Sequence, residues 1–226
     1  MTSYVLIPGA GGVAWYWHQV VERLERSGHP AVAVDLPGDD ETAGLPEYAD
    51  LVVRAAQGLD AVVVVAQSLG GFTAPLVCGR TPVRELVFVN AMIPAPGETP
   101  GEWGDHVDSS TARLEAADAG GYGRDFDIET YFLHDLSPEL IAEGESHMRD
   151  EANAVFGSVC DFTAWPEVPI RVLVGADDRL FPADFQRRVA RERLGVEADV
   201  RRGGHLIAQS NPDGVVEYLL ASGPYS

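Results

Sequence analysis

Short runs of apolar, β-branched residues alternate along the chain with longer stretches in which apolar and polar positions recur at helical spacing. This alternation is typical of β-α-β units, which build a parallel sheet covered by helices on both faces. It predicts an open, mostly parallel α/β sheet of about six strands. It also predicts helices over residues 15–27 and 183–194, each ending next to a glycine. The predicted strands are Tyr4–Ile7, Ala31–Asp35, Ala61–Ala66, Glu85–Asn90, Ile170–Val174 and Val196–Arg201.

Residues 91–165 interrupt the alternation. This stretch contains no convincing strand, is much longer than an ordinary crossover, and shows helical patterns near 110–119 and 137–154. We therefore expect a helical cap inserted over the carboxyl edge of the sheet. The chain would then divide into an α/β core of residues 1–90 and 166–226 and a cap of residues 91–165.

The charged residues narrow the range of functions. All 16 basic residues are arginine, and the formal net charge is −19. The lack of lysine excludes Schiff-base catalysis, pyridoxal-phosphate anchoring and a P-loop. Strong negative charge disfavours nucleic acid and anionic membranes as partners. Between Glu98 and Glu151 there are 15 acidic residues against three arginines, so much of this charge lies on the predicted cap. We favour a solvated acidic surface that keeps the protein soluble; if the carboxylates also surround the mouth of the pocket, they would slow the approach of anionic substrates.

Other features of the composition bear on the location and on metals. The two cysteines cannot form a disulfide framework, and neither a basic-then-apolar leader nor a membrane-length apolar run is seen. We therefore predict a cytoplasmic protein. The histidines show no metal-ligand spacing, so no metal site is expected. We expect no cofactor either. The oligomeric state stays open.

A glycine-rich turn, Gly9-Ala10-Gly11-Gly12-Val13-Ala14, follows the first predicted strand. The turn matches G-x-G-x-x-A, and Asp35 at the end of the next strand could contact a ribose, so dinucleotide binding is one interpretation. The other is that the turn aims a backbone N–H at a developing oxyanion. The second is favoured because the rest of the chain supplies residues for acyl transfer.

The candidate nucleophile lies where the strand 61–66 runs into Gln67-Ser68-Leu69-Gly70-Gly71. Ala66 and Gly70 supply the small residues that a sharp strand-to-helix turn needs on both sides of its central residue, as in G-x-S-x-G. This pattern predicts a strained backbone at Ser68, its hydroxyl at the carboxyl edge of the sheet, and the Leu69 amide facing negative charge. The alternative is a serine that only caps a helix.

A base and an acid are predicted on later loops. Asp177 and Asp178 follow the strand that ends at Gly175, and we prefer Asp178 because it lies three residues beyond that glycine. Asp177 is the alternative, and a third interpretation is that both aspartates are solvated turn residues. His205 follows the last strand through two glycines, which let the loop bring its ring over the sheet edge. The chain order Ser, Asp, His is that of a serine hydrolase on an α/β sheet.

Taken together and in this order, these motifs resemble the α/β-hydrolase superfamily over essentially the whole chain. The resemblance is to the small plant methylesterases and their bacterial esterase relatives. It implies a carboxylesterase with a Ser-His-Asp triad, and it implies the backbone N–H groups of Ala10 and Leu69 as the oxyanion donors. Pro8 departs from the pattern, since a histidine is usual there. Leu206 stands where hydroxynitrile lyases of this group carry lysine, so a lyase that uses this lysine is not expected.

We therefore predict hydrolysis of small or medium, neutral, apolar or aromatic carboxylic esters through an acyl-enzyme on Ser68. Three alternatives stay open: a thioesterase, a cofactor-free enzyme of a natural-product pathway on the same triad, and a non-catalytic protein that binds a small molecule. Aromatic and apolar residues of the predicted cap and first loop are candidates for the substrate pocket, or else form the cap's own core. They are Trp15, Met92, Phe126, Tyr131, Phe132, Phe156 and Trp165.

Overall fold

The computed structural model describes residues 1–221. Within these residues the strands form one six-stranded sheet in the order β2-β1-β3-β4-β5-β6, and each neighbouring pair is parallel. The prediction of a largely parallel α/β sheet is confirmed. The strands are β1 (Ser3–Ile7), β2 (Ala31–Ala33), β3 (Val62–Gln67), β4 (Glu85–Val89), β5 (Ile170–Gly175) and β6 (Asp199–Arg201).

Helices cover both faces of the sheet. Alternate side chains of β1 show how: Val5 and Ile7 pack into one buried cluster, whereas Tyr4 and Leu6 pack into the other. The helices that pack on the sheet are α1 (His18–Arg26), α2 (Leu45–Ala55), α3 (Ala74–Cys78), α8 (Ala183–Leu194), α9 (Ile207–Ser210) and α10 (Pro212–Leu220). The first cluster lies under α2, α3 and α8, and the second under α1, α9 and α10.

Some boundaries differ from the predicted ones. β2 ends at Ala33, and beyond it the Asp35 carboxylate accepts a hydrogen bond from the Ala14 amide at 3.1 Å. β6 begins only at Asp199, where it first pairs with Leu173 of β5. The predicted helix 15–27 is a 3-10 turn over residues 14–17 followed by α1.

Between β4 and β5 the chain is helical, as expected. The two ends of this insertion pair with each other: the Gly97 amide donates to the Cys160 carbonyl at 3.0 Å, and the Cys160 amide donates to the Glu98 carbonyl at 2.9 Å. The insertion contains α4 (Pro100–His106), α5 (Ser109–Gly120), a π-helix (Glu129–Leu133), α6 (Pro138–Glu145) and α7 (Asn153–Phe156). Its treatment as a separate cap domain stays a prediction, and residues 222–226 of the predicted core range lie outside the described residues.

The second helical pattern, over residues 137–154, breaks into α6 and α7 with a non-helical segment between them. This segment binds the loop that follows β2: the Arg149 guanidinium donates to the Leu36 carbonyl at 2.5 Å, and the Ala152 amide donates to the Gly38 carbonyl at 2.6 Å. Tertiary contact therefore overrides local helix preference here. Among the helices of residues 1–221, none has the length and apolar character needed to cross a membrane.

Candidate active site

Ser68 begins a 3-10 helix (Ser68–Phe72) directly after β3. Its φ is +49°, in the left-handed region that residues other than glycine rarely adopt. This is the strained backbone that the motif predicts. A residue held in this way at a strand-to-helix turn presents its side chain at the carboxyl edge of the sheet.

Close backbone packing explains the small residues around the turn. A Cβ on Gly70 would lie 2.4 Å from the Pro8 carbonyl oxygen, and one on Gly71 would lie 2.1 Å from that of Met92. A Cβ on Gly9 would lie 2.8 Å from the Ser68 Cβ. The glycine turn after β1 therefore lies against the nucleophile turn.

The structure brings the predicted serine, histidine and aspartate together. His205 Nε2 lies 3.0 Å from Ser68 Oγ, and His205 Nδ1 lies 2.9 Å from Asp178 Oδ2. The side chains of His205 and Asp178 are fully buried. Asp177 is exposed, and its carboxylate accepts a hydrogen bond from the Gly203 amide at 3.0 Å. Asp178, and not Asp177, is therefore the acid that contacts the histidine.

Asp178 is oriented from both sides. Its Oδ1 accepts hydrogen bonds from the backbone amides of Leu180 and Phe181, each at 2.9 Å. Its Oδ2 accepts from Gln186 Nε2 at 3.1 Å as well as from His205. These donors leave the carboxylate little rotational freedom, which is what an acid that orients an imidazole needs.

Asn90 is a site residue that the sequence reasoning missed. Its Nδ2 donates to the carbonyls of Gly204 and His205 at 2.9 and 3.1 Å, while its Oδ1 accepts from the Gly175 amide at 2.7 Å. Asn90 thus joins the end of β5 to the loop that carries the histidine. The sequence feature that could have identified Asn90 is its position: it is a polar residue directly after the apolar strand β4, at the same edge of the sheet as Ser68.

Two of the predicted pocket residues contact the triad residues. The Phe132 ring meets the His205 ring edge-on, with centroids 5.0 Å apart, and the Met92 amide donates to the Ser68 carbonyl at 2.9 Å. Phe181, which was not predicted, meets His205 in the same way at 5.2 Å. The histidine is therefore enclosed by aromatic rings from the insertion and from the acid loop, and Ser68 itself is 8% exposed.

The other predicted pocket residues lie in other contacts. Trp15 stacks on His147 with centroids 4.7 Å apart, and Phe126 is 57% exposed. Tyr131 is fully buried within the insertion, and Phe156 and Trp165 pack against the core cluster. The packing of Tyr131, Phe156 and Trp165 is what the alternative interpretation, an apolar core of the insertion, expects. Phe126 is too exposed to belong to such a core, so its place in the pocket, like that of Trp15, stays a prediction.

A polar cavity of about 800 Å³ lies beside the acid. Asp178 lines it together with His134, Asp135, Arg179 and Ser210, whereas Ser68 and His205 do not. Burial, together with the charge of Arg179, lowers the pKa of His134 and favours its neutral form. The cavity therefore borders the back of the acid and not the reacting serine.

The thiols are poor candidates for a nucleophile. Burial raises the pKa of Cys78 to about 11 and that of Cys160 to about 12. A thiol with so high a pKa is almost fully protonated at neutral pH and reacts slowly. Ser68 is therefore the better nucleophile.

The glycine turn is not arranged to hold a dinucleotide. The Gly11 amide donates to the carboxylate of Glu151 at 2.5 Å, so a negative charge already lies where a pyrophosphate would need N–H groups. Asp35 accepts hydrogen bonds from the Ala14 amide at 3.1 Å and from Arg149 at 3.0 Å, so both of its oxygens already bind groups of the protein. Within residues 1–221, no group of three or more His, Cys, Asp or Glu side chains is placed to hold a metal ion.

Comparison with known proteins agrees with this fold. A family model described as "Alpha/beta hydrolase family" matches residues 4–218. Methylesterase 3 of Arabidopsis thaliana is 33% identical over 255 residues, which span 96% of this chain and 94% of that protein. The crystal structure of polyneuridine aldehyde esterase superposes with a TM-score of 0.79 at 19% identity, covering 97% of this chain and 98% of that one. An extracellular alpha/beta-hydrolase from a Paenibacillus species also has a TM-score of 0.79 at 19% identity, with 99% and 100% coverage.

Proposed function

We propose that this chain, which belongs to the alpha/beta hydrolase family, is a serine esterase that hydrolyses carboxylic esters through an acyl-enzyme on Ser68. The observation that carries the proposal is the continuous hydrogen-bonded chain from Ser68 Oγ through His205 to Asp178, at 3.0 and 2.9 Å. A serine hydroxyl needs such a base to react at neutral pH, and the base needs an acid to hold its tautomer.

The reaction would proceed in two halves. Ser68 Oγ attacks the ester carbonyl carbon while His205 Nε2 takes the hydroxyl proton, and the carbonyl oxygen becomes an oxyanion between the Ala10 and Leu69 amides. When the tetrahedral intermediate collapses, the C–O bond to the alcohol breaks and His205 returns the proton to the leaving oxygen. Water then attacks the acyl-enzyme by the same route, which releases the acid and restores Ser68.

The surroundings of the triad support a neutral, apolar or aromatic substrate of small or medium size. Phe132 and Phe181 enclose the histidine, and Met92 lies beside the serine. The carboxylates of the insertion disfavour an anionic substrate. The similarity to a protein named Methylesterase 3 supports a small leaving alcohol. We assign residues 91–165 to a cap that covers this site.

Covalent labelling tests the proposal most directly. A fluorophosphonate probe should label the wild-type protein at Ser68, and Ser68→Ala should abolish both labelling and hydrolysis of p-nitrophenyl acetate. Ser146→Ala removes an exposed hydroxyl on the insertion and is the matched control, which should behave as wild type. His205→Ala should lower kcat by about 10⁴-fold or more.

Three results would overturn the proposal. An unlabelled wild-type protein would favour a binding protein on this fold, and ester hydrolysis by Ser68→Ala would place the nucleophile elsewhere. A thioester that reacts much faster than the ester of the same acyl group would make the chain a thioesterase.

A further inference from the structure

The turn that carries the proposed Ala10 donor has little rigidity of its own. Ala10 lies between Gly9 and the pair Gly11 and Gly12, whose φ values are +84° and +67°. Within the turn there is one backbone hydrogen bond, from the Gly12 amide to the Gly9 carbonyl at 3.1 Å, and the Leu36 amide of the loop after β2 donates to the Gly12 carbonyl at 2.8 Å. Glycine has the greatest backbone freedom of any residue, and Pro8 on the other side has no side chain that can donate or accept. An oxyanion donor must nevertheless be held in place before the reaction starts.

Glu151 of the insertion binds this turn directly. Its Oε2 accepts a hydrogen bond from the Gly11 amide at 2.5 Å, and its Oε1 accepts one from the Tyr48 hydroxyl at 2.6 Å. Both carboxylate oxygens therefore have a directional partner, one on the turn and one on α2. Burial raises the pKa of Glu151, while Tyr48, the Gly11 amide and Arg149 oppose that rise.

The backbone that carries Glu151 is itself fixed to the core. The guanidinium of Arg149 donates to the Leu36 carbonyl at 2.5 Å and to Asp35 Oδ2 at 3.0 Å, and the Ala152 amide donates to the Gly38 carbonyl at 2.6 Å. The Arg149 carbonyl packs so closely on the turn that a Cβ on Gly11 would lie 2.5 Å from its oxygen. Glu151 thus approaches the turn from an anchored segment.

We infer that Glu151 is a positioning residue for the oxyanion site. The Gly11 amide belongs to the peptide plane that follows Ala10, so holding that plane limits rotation about Ala10 and keeps the Ala10 N–H directed at the reacting carbonyl. The inference rests on the proposed esterase function, in which this N–H stabilises the oxyanion. Tyr48 serves the same purpose one step further away, because it holds the carboxylate.

The test compares four variants using p-nitrophenyl acetate and the fluorophosphonate probe. Glu151→Ala should lower kcat and the labelling rate together by about 10- to 100-fold, with KM within about twofold. The upper limit is the decrease in kcat expected when one oxyanion donor is lost completely. Glu151→Gln should recover most of the loss, since its amide oxygen can accept the same bond. Tyr48→Phe should lower kcat by about three- to tenfold, which is part of the cost of one donor. Asp150→Asn is the matched control: it removes the same charge one residue away, from an exposed side chain, and should leave both rates unchanged.

A purely structural role for Glu151 predicts different results. In that case Glu151→Ala would have a lower melting temperature than wild type but the same kcat as the control Asp150→Asn. This result would overturn the inference. An increase in KM at unchanged kcat would overturn it too.

If Glu151→Ala does not fold, Tyr48→Phe decides: a wild-type kcat in this variant refutes the inference. If wild-type protein is not labelled at Ser68, the proposed function fails and this inference fails with it, whereas labelling at equal rates in wild type and Glu151→Ala removes the inference alone.

Discussion

Glu98 and Arg193 form a buried ion pair where the insertion leaves the core. Arg193 donates to both carboxylate oxygens, at 2.5 and 2.9 Å, and the Ala95 amide and the His106 ring contact the same oxygens. The side chain of Glu98 is 2% exposed and that of Arg193 is 14% exposed. Glu98→Gln would leave the guanidinium buried without a counter-charge. We therefore predict that this substitution strongly destabilises the fold.

The contacts of Glu98 set the expected loss of unfolding free energy in Glu98→Gln. Removing one partner of a buried ion pair costs about 3–5 kcal/mol. Glutamine keeps an oxygen that can accept from Arg193 or from the Ala95 amide, so the lower end, about 3 kcal/mol, is expected. For a domain of this size each kcal/mol corresponds to about 2–4 °C, so the melting temperature should fall by about 6–12 °C.

The effect should depend on pH. Burial alone would raise the pKa of Glu98, but hydrogen bonds from Arg193, the Ala95 amide and His106 outweigh burial and hold the pKa below its ordinary value. A carboxyl whose pKa is lowered by folding contributes stability above its unfolded pKa, about 4.3 for glutamate, and loses that contribution as the pH falls through its folded pKa. The gap between wild type and Glu98→Gln should therefore be full at pH 7 and shrink in acid.

Urea unfolding at neutral and acidic pH, followed by tryptophan fluorescence, measures this gap. Glu115→Gln is the control, because it makes the same change of charge on an exposed side chain of α5. The double variant E98Q/R193M should lose less stability than Glu98→Gln alone, since no uncompensated charge stays buried. Equal stabilities for Glu98→Gln and Glu115→Gln, or a gap that does not change with pH, would refute the reasoning.

Further predictions concern the active site and its approach. Asp178→Asn should lower kcat by about 10⁴-fold while Asp177→Asn stays within about threefold; equal losses would contradict the choice of acid. Asn90→Ala should lower kcat at least about tenfold at unchanged KM, because the histidine loop loses its donor; a folded variant with wild-type kcat would exclude this role. Phe132→Leu should raise KM for p-nitrophenyl benzoate more than for the acetate, and equal changes would show that the ring does not contact the acyl group. Salt raised from about 0.01 M to 0.5 M should increase kcat/KM for an anionic ester but not for a neutral one, and equal responses would show that the acidic insertion does not affect approach.

Local patterns were sufficient to predict the sheet and the three residues of the triad. The apolar run of β3 ends in small residues around Ser68, and Asp178 and His205 each follow a later strand. Because the strands are parallel, their carboxyl ends share one edge of the sheet, and residues far apart in sequence meet there. The fold could therefore be predicted from short-range signals and a topological rule.

The contacts of the insertion could not be predicted in this way. Glu151 and Gly11 lie 140 residues apart, and no periodicity or motif relates them. Residues 149–152 leave the predicted helix because hydrogen bonds to the loop after β2 replace those of the helix. Asn90 and Gln186 likewise have no special pattern, since each is a single polar residue whose partners come from other elements.

The loops of the active site come from the core, but several of their hydrogen-bond partners come from the insertion. Glu151 accepts from the turn after β1, and Asp135 accepts from the Gly204 amide, next to His205, at 2.5 Å. The carbonyl of Thr130 accepts from Arg179, next to Asp178, at 3.2 Å. Each loop thus has a partner from the insertion as well as its own strand. It follows that the insertion positions the loops of the active site, and that substitutions of Glu151 or Asp135, which bind these loops, should affect kcat.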